Sequence, residues 1–144
     1  MFQRPFLLDA SALINIYRSS NLARLNLLVE NTVVQWTSGV GEEVRRREDD
    51  LRKWIERNHG ETELTDREAV RFGQLILRYG VPFQHQGRTR KPLSSEDAEA
   101  LAVAIDRGWV LVTDDSSMLV VADIFNTECK SSNDFLGGLV QFGR

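Results

Sequence analysis

The sequence predicts an α/β protein, a three-layer α/β/α sandwich with a mostly parallel central sheet. Two short apolar runs, residues 5–8 and 109–113, have the composition of parallel strands that are buried on both faces. Segments with apolar residues at helical spacing lie between them, and strands that alternate with helices favour a parallel sheet. The length of 144 residues fits a single domain that spans residues 1–144.

The first half of the chain alternates in this way. The apolar run 5–8 predicts a strand, and helical spacing of apolar residues predicts helices over 11–18 and 22–29. Residues 32–36 are rich in β-branched and aromatic side chains, which predicts a second strand. One long helix is expected over 39–58, capped by Ser38 and ended by the sequence Asn-His-Gly.

The middle of the chain contains two further helices. Thr65 or Asp66 caps a helix that extends to residue 79 and is closed by Gly80. Residues 80–93 are predicted to be a loop. The next helix is expected over 95–107, where Ser94 and Asp97 have the spacing of a capping box.

The last third of the chain begins with the run 109–113, which is short, apolar and continuous. A short helix is expected over 116–122, followed by a weaker strand near 124–128. The tail is predicted to be irregular, or to form one helical turn near 133–136.

The composition describes an ordinary globular chain, with 42% hydrophobic and 27% charged residues. Its net charge of −3 does not indicate a nucleic-acid-binding protein by itself. Cys129 is the sole cysteine, which excludes an internal disulfide and favours the reducing cytoplasm. No apolar stretch reaches the ~18 residues of a membrane span, and the start of the chain does not have the pattern of a signal peptide.

Four acidic residues are expected at one edge of the sheet. Asp9 follows the first strand, and Asp115 follows the strand 109–113. Glu43 and Asp97 lie in the first turns of helices that begin at the same edge. Because the carboxyl ends of parallel strands meet at one edge of the sheet, we expect the four carboxylates to converge there, where ligands bind in such sheets.

Each of these acids also has a purely structural explanation. Asp9 and Asp115 have the positions of helix N-caps, and Asp97 fits a capping box. Glu43 fits an exposed helix acid. However, four like charges that converge repel one another unless a cation lies between them.

The ligand set is all oxygen, and it favours Mg²⁺ or Mn²⁺ over zinc. Such a metal suits phosphoryl chemistry. The sequence has no G-x-x-x-x-G-K-[ST] loop, which argues against a nucleotide triphosphatase and leaves phosphodiester hydrolysis as the candidate reaction.

Three segments together resemble the PIN domain, the fold of many small metal-dependent ribonucleases. They are LLDASALINIY, WTSGVGEEV and LSSEDAEALAVAIDRGWVLVTDDSSM, in this order. The resemblance spans about residues 5–128. It implies that Asp9, Glu43, Asp97 and Asp115 are the catalytic, metal-binding acids.

The resemblance further implies that Ser11 and Thr113 are supporting hydroxyls. Some positions stay open, because Glu42 adjoins Glu43 and Asp114 adjoins Asp115. Glu96 and Glu99 flank Asp97 in the same way.

Many short members of the PIN family are VapC-like toxins of bacterial toxin–antitoxin pairs. The resemblance therefore implies an endoribonuclease toxin that forms a homodimer and is silenced by a small antitoxin. The cofactor would be Mg²⁺ or Mn²⁺, and the substrate would be RNA.

Two basic clusters are candidates for RNA contact. The first lies on the predicted long helix (Arg45, Arg46, Arg47, Arg52, Lys53 and Arg57), where acids four residues away favour a self-paired surface. The second lies in the predicted loop, where Arg88, Arg90 and Lys91 have no acidic neighbour in sequence. We therefore prefer Arg88, Arg90 and Lys91 as the RNA contact.

Two alternatives remain open. The first is a catalytically silent PIN-like module that binds protein or RNA. The second is a haloacid-dehalogenase-like phosphatase with Asp9 as nucleophile, although that chemistry requires a second acid where this chain has Ser11.

Overall fold

The computed structural model describes residues 4–19, 22–46 and 49–142. The strands within these ranges are β1 (Phe6–Leu8), β2 (Val34–Thr37), β3 (Glu61–Thr62), β4 (Phe83–His85), β5 (Arg88–Arg90), β6 (Val110–Val112) and β7 (Cys129–Lys130). The helices are α1 (Ala10–Arg18), α2 (Leu22–Glu30), α3 (Ser38–Arg45), α4 (Asp49–Arg57), α5 (Asp66–Tyr79), α6 (Ser95–Arg107), α7 (Ser116–Ile124) and α8 (Ser132–Phe142).

Five parallel strands form the central sheet in the order β3-β2-β1-β6-β7. Leu7 of β1 pairs with Gln35 on one side and with Leu111 on the other. Strands β4 and β5 form a separate antiparallel hairpin. The predicted α/β class and the mostly parallel sheet are therefore confirmed.

Two layers of apolar side chains cover the sheet because neighbouring strand residues point to opposite faces. Leu8 and Val112 belong to the core cluster that includes residues of α1, α2, α3, α4 and α8. Leu7 and Leu111 belong to the second cluster, with residues of α5, α6 and α7. All four side chains are fully buried, as the continuous apolar runs predict.

Capping residues fix the ends of the two long helices as predicted. Thr65 and Glu68 form a capping box at the start of α5, and Ser94 and Asp97 form one at the start of α6. Gly108 ends α6 in the left-handed conformation, with a φ of 68°.

The single helix predicted over 39–58 is wrong, since α3 and α4 are two helices in the described residues. The N-cap of α3 is Thr37 instead of Ser38, because the Thr37 hydroxyl accepts a hydrogen bond from the Val40 amide. The short strand β3 follows α4 and was not predicted. It pairs with β2, where the Trp36 amide donates to the Gly60 carbonyl over 2.9 Å.

Two predictions for the second half are also wrong. Residues 80–93 are not wholly a loop, because they contain the β4–β5 hairpin. The tail forms the 11-residue helix α8, which is held by the buried Phe135 ring against Phe6 with centroids 5.1 Å apart. Strands β2 and β7 also lie later in the chain than predicted.

Within the described residues, no helix has both the length and the apolar character that crossing a membrane requires.

Candidate functional site

The candidate site lies at the carboxyl edge of the sheet, at the point where the order of the strands reverses. Strand β1 lies between β2 on one side and β6 on the other, which makes the β1–β6 border the switch point of the topology. Asp9 directly follows β1, and its amide donates to the Val112 carbonyl at the end of β6 over 3.1 Å. Two acids, Asp114 and Asp115, follow β6 after Thr113.

Asp9 is held through both of its carboxylate oxygens. Its Oδ1 accepts the Ala12 amide over 2.8 Å and thereby caps α1. Its Oδ2 accepts the hydroxyl of Thr113, which is fully buried. Burial raises the pKa of Asp9 to about 6, against the lowering effect of these hydrogen bonds, and the charges of Asp97 and Asp114 add to the rise.

Asp97 is in the first turn of α6, where the capping box orients it. Its Oδ2 accepts the Ser94 amide over 3.3 Å. Burial raises its pKa to about 6, and repulsion from Asp115 and from Glu43 contributes to the rise. Asp97 is therefore close enough to Asp9, Asp115 and Glu43 for their charges to interact.

Asp114 and Asp115 have different environments although they are adjacent. Asp115 caps α7 through its Oδ1, which accepts the Met118 amide over 2.9 Å. Asp114 accepts the Ser132 amide and hydroxyl over 2.9 and 2.6 Å, and the Asn15 side-chain amide over 3.2 Å. Burial tends to raise the pKa of Asp114, but these hydrogen bonds outweigh it and hold the pKa below its ordinary value.

Asn15 and Ser132 are therefore site residues that the sequence did not reveal. They are 99 and 18 residues from Asp114 along the chain. A polar residue inside the apolar stretch Leu-Ile-Asn-Ile was the sole local signal for Asn15.

Glu99 joins the two helices that carry Glu43 and Asp97. Its Oε1 accepts the Gly39 amide over 3.0 Å and the Ser38 hydroxyl over 3.3 Å. It thereby ties α6 to the first turn of α3 and fixes the helix that bears Glu43.

Of the three other predicted positions Ser11, Glu42 and Glu96, two are exposed. Ser11 is exposed in the first turn of α1, and Glu42 is exposed on α3. Glu96 accepts a hydrogen bond from the Ser95 hydroxyl over 3.3 Å.

Charge repulsion between pairs of neighbouring acids thus links one group of five residues, namely Asp9, Asp97, Asp114, Asp115 and Glu43. In residues 4–19, 22–46 and 49–142, however, no three acidic, histidine or cysteine side chains stand close enough together to form a ready metal cage. Asp97 Oδ1 and Asp115 Oδ2 make no hydrogen bond within the same ranges.

The character of the site fits a hard divalent cation. Its donors are carboxylate oxygens, which Mg²⁺ and Mn²⁺ prefer. The raised pKa values of Asp9 and Asp97 show that burying these negative charges near one another is unfavourable, and a cation would relieve this cost.

The two basic clusters differ in their pairing. On α3 and α4, Arg45 pairs with Glu61 over 3.3 Å, and Arg52 pairs with Glu56 over 3.7 Å. Two of the pairs predicted from this four-residue spacing, Glu43–Arg47 and Glu48–Arg52, include a residue outside the described ranges. The second cluster lies on and next to β5, where Arg88 and Lys91 are exposed and Arg90 is half-buried.

Comparison with known proteins places the chain by its fold. No protein-family model and no curated protein matches the sequence. Three similar solved structures are PAE2754 from Pyrobaculum aerophilum, VapBC2 from Rickettsia felis bound to a DNA fragment from their promoter, and FitAcB from Neisseria gonorrhoeae.

These likenesses extend over nearly whole chains at low sequence identity. PAE2754 has a TM-score of 0.57 and 18% identity, with 96% of this chain and 98% of that chain covered. VapBC2 has a TM-score of 0.59 and 14% identity, and FitAcB has a TM-score of 0.56 and 14% identity. Each alignment covers 88% of this chain and 97% of the other chain. The likeness confirms the PIN-like fold that the sequence motifs implied.

Proposed function

We propose that the chain is a Mg²⁺- or Mn²⁺-dependent endoribonuclease of the VapC-like PIN type, which hydrolyses RNA phosphodiester bonds. The observation that carries this proposal is the pair Asp9 and Asp97. They lie 88 residues apart in sequence, and burial together with neighbouring acids raises the pKa of each to about 6. Carboxyl groups with strongly raised pKa values at a sheet switch point are typical of functional sites.

The acids would share the work of holding the cation. Asp9, Asp97, Asp115 and Glu43 are the proposed ligands, and Asp97 Oδ1 and Asp115 Oδ2 offer oxygens that make no hydrogen bond within the described ranges. A divalent cation bound there would supply Lewis-acid activation of water and charge neutralisation at the phosphate.

The surrounding hydrogen bonds orient these carboxylates. Thr113 donates its hydroxyl to Asp9 and accepts the Asp115 amide over 3.1 Å, so that one buried side chain positions two of the acids. Asp114 is engaged by Ser132 and Asn15, which supports a positioning role for it. Preorganised ligands of this kind hold a metal site in its reactive geometry.

We further propose that the chain is the toxin of a toxin–antitoxin pair. The likeness to VapBC2, which was solved bound to a DNA fragment from their promoter, supports this proposal. A true antitoxin must abolish RNA cleavage when it is added to the purified chain, and a candidate that leaves cleavage unchanged is not the partner.

The function is tested by replacing one carboxylate with its isosteric amide. In Asp9→Asn we expect RNA cleavage in Mg²⁺ to fall on the order of 100-fold or more, because a proposed ligand loses its charge. Asp123→Asn is the matched control, since Asp123 is exposed at the far end of α7 from Asp115. The control should cleave at the wild-type rate.

The assay compares purified proteins on total cellular RNA, with fragments mapped by sequencing, in Mg²⁺ and in EDTA. Cleavage by Asp9→Asn at the wild-type rate contradicts the proposed site. If the wild type binds Mg²⁺ and cleaves none of several RNAs, the catalytically silent binding module is the correct alternative. Induced expression of wild type and Asp9→Asn in growing cells tests toxicity in parallel.

A further inference from the structure

The β4–β5 hairpin is a well-defined arm outside the central sheet. Its strands pair Phe83 with Arg90, Gln84 with Thr89 and His85 with Arg88. The two turn residues, Gln86 and Gly87, have positive φ values of 52° and 73°, as in the tight two-residue turns whose twist matches that of paired strands. The Gln84 side chain donates to the Thr89 hydroxyl over 2.6 Å across the strands.

The base of this hairpin is fixed to the body of the protein. The Phe83 ring packs edge-on against Tyr79 with centroids 5.0 Å apart. The amide of the buried Leu93 donates to the Tyr79 carbonyl over 2.8 Å. The arm is therefore anchored at the end of α5.

The same base adjoins the acidic site. The carbonyl of Lys91 accepts the Ser117 hydroxyl over 2.7 Å, and Ser117 lies two residues after Asp115. Three residues beyond Lys91, Ser94 caps the helix that carries Asp97. Lys91 is thus tied to the two elements that present Asp97 and Asp115.

The basic residues of the hairpin differ from many arginines elsewhere in the chain because they form no ion pair within the described residues. The described arginines that form ion pairs with carboxylates include Arg4, Arg45, Arg52, Arg67, Arg71 and Arg107. Arg88, Arg90 and Lys91 form none within the same ranges. Arg88 and Arg90 are two residues apart on β5, so they share one face of the hairpin.

A polyanionic substrate such as RNA requires positive charges near the acidic site in order to bind there. The chain has a net charge of −3, and its candidate site is a cluster of carboxylates, which repels phosphates. Unpaired cations on an arm whose base joins the elements that carry Asp97 and Asp115 would attract the RNA backbone and offset the repulsion.

We infer that the β4–β5 hairpin is the arm that holds RNA against the acidic site, with Arg88 and Lys91 binding backbone phosphates and Arg90 adding to their field. This inference rests on the proposed ribonuclease function and deepens it. Contacts to phosphates position a strand without reading its sequence, so the arm serves affinity and not base specificity.

The test removes two charges from the hairpin or from another basic surface. The hairpin variant is Arg88→Gln with Lys91→Gln, and both side chains are exposed and unpaired within the described ranges, so the fold should not depend on them. The matched control is Arg52→Gln with Lys53→Gln, which makes the same charge change on the exposed surface of α4. Thermal unfolding of both variants verifies that they fold.

Binding is measured by fluorescence anisotropy with labelled polyuridine in EDTA, where no cleavage occurs, over a series of salt concentrations. We expect the hairpin variant to bind polyuridine on the order of ten-fold more weakly at low salt. Its slope of log affinity against log salt should be smaller by about 1 to 1.5, the value for two lost phosphate contacts on a single strand. The control should bind nearly as the wild type does.

Equal binding of polyuridine by the hairpin variant and the control overturns the inference. Labelled polyglutamate is the second probe. If only its binding falls in the hairpin variant, the arm recognises an acidic protein and the inference is likewise overturned. Because this assay needs no cleavage, it is separate from the Asp9→Asn test. A wild type that cleaves RNA while the two double variants bind it equally refutes the hairpin role alone.

Discussion

Asp9 serves the fold and the site through different oxygen atoms. Oδ1 caps α1, and Oδ2 accepts the Thr113 hydroxyl at the end of β6. An N-cap contributes about 1 kcal/mol, yet burying this carboxylate beside Asp97 opposes folding when Asp9 is charged. The same residue therefore stabilises a helix by capping it and destabilises the metal-free fold through its buried charge.

This conflict predicts how the metal-free protein responds to pH. Burial raises the pKa of Asp9 from 3.8 to about 6, so the folded protein holds this proton more tightly than the unfolded chain does. The free energy of unfolding should therefore fall as pH rises from about 4 to about 6 and then level off. The contribution of Asp9 to this fall is on the order of 3 kcal/mol.

Urea unfolding in EDTA across this pH range measures the effect. Asp9→Asn cannot ionise, so the difference between its stability and that of the wild type reports the ionisation of Asp9 together with its repulsion from Asp97 and Asp114. A difference that stays constant from pH 4 to pH 7 would contradict the burial of a titrating carboxyl at this position. Added Mg²⁺ should restore stability above pH 6 and have little effect near pH 4, because protonated carboxyls bind metals weakly.

The sequence predicted that these acids converge but not how they are held. Asp9 and Asp115 cap helices and Asp97 completes a capping box, as the structural explanation expected. Asp9 and Asp97 also have raised pKa values, to which the repulsion that the functional explanation expected contributes. Capping and site formation use the same residue types at the same helix starts, so sequence alone does not separate them. Asn15 and Ser132 escaped because their contacts to Asp114 arise only from tertiary packing.

At the scale of single elements, periodicity located most of the helices but not all of their ends. Val40, Val44, Leu51 and Ile55 keep one helical spacing across both α3 and α4, so the pattern predicts one helix where there are two. The two-residue strand β3 is too short to leave a pattern of its own.

The hairpin and the last helix were missed for related reasons. The turn Gln-Gly is a weaker hairpin signal than Asn-Gly, and the flanking strands carry mostly polar residues. Helix α8 contains Gly137 and Gly138, which lower helix propensity, and the burial of Phe135 compensates.

Gly60 gives an element-scale prediction about the β2–β3 pair. A Cβ at this position would overlap the ring of Trp36, which is fully buried. The main chain of Gly60 cannot easily move away, because its carbonyl accepts the Trp36 amide. We expect Gly60→Ala to lower the free energy of unfolding by about 1 to 3 kcal/mol, as overpacking does.

The control for this substitution is Gly137→Ala in α8. A Cβ there meets nothing within 4 Å, and alanine favours a helix over glycine by about 0.5 to 1 kcal/mol. Urea unfolding should therefore move in opposite directions for the two variants. A Gly60→Ala protein as stable as the wild type would show that Trp36 is not packed against the Gly60 backbone.

At the scale of the whole molecule, the parallel topology gathers acids from distant parts of the chain. The sheet order follows from strand alternation only in part, because the sequence does not state which strands become neighbours. The order β3-β2-β1-β6-β7 makes β1 and β6 adjacent, and this brings Asp9 beside the acids that follow β6. The predicted convergence depended on that one adjacency.

The surface of the whole chain also bears on the homodimer that the family resemblance implies. Three exposed apolar side chains lie along and just after α5, namely Val70 at 63%, Leu77 at 85% and Val81 at 56% exposure. Val70 and Leu77 are seven residues apart, so they lie on one face of the helix. In an antiparallel pairing of α5 with its copy, Val70 of each chain would meet Leu77 of the other, as a two-fold interface requires.

We therefore expect the purified chain to sediment as a dimer and Leu77→Glu to sediment as a monomer. Leu77 is largely exposed within one chain, so this variant should fold with nearly unchanged monomer stability. Leu27→Glu is the matched control, since Leu27 is 58% exposed on α2, and it should remain dimeric. Sedimentation velocity over a range of concentrations decides between the outcomes. A wild type that is monomeric throughout contradicts the homodimer, whereas a dimeric Leu77→Glu keeps the dimer and removes α5 from its interface.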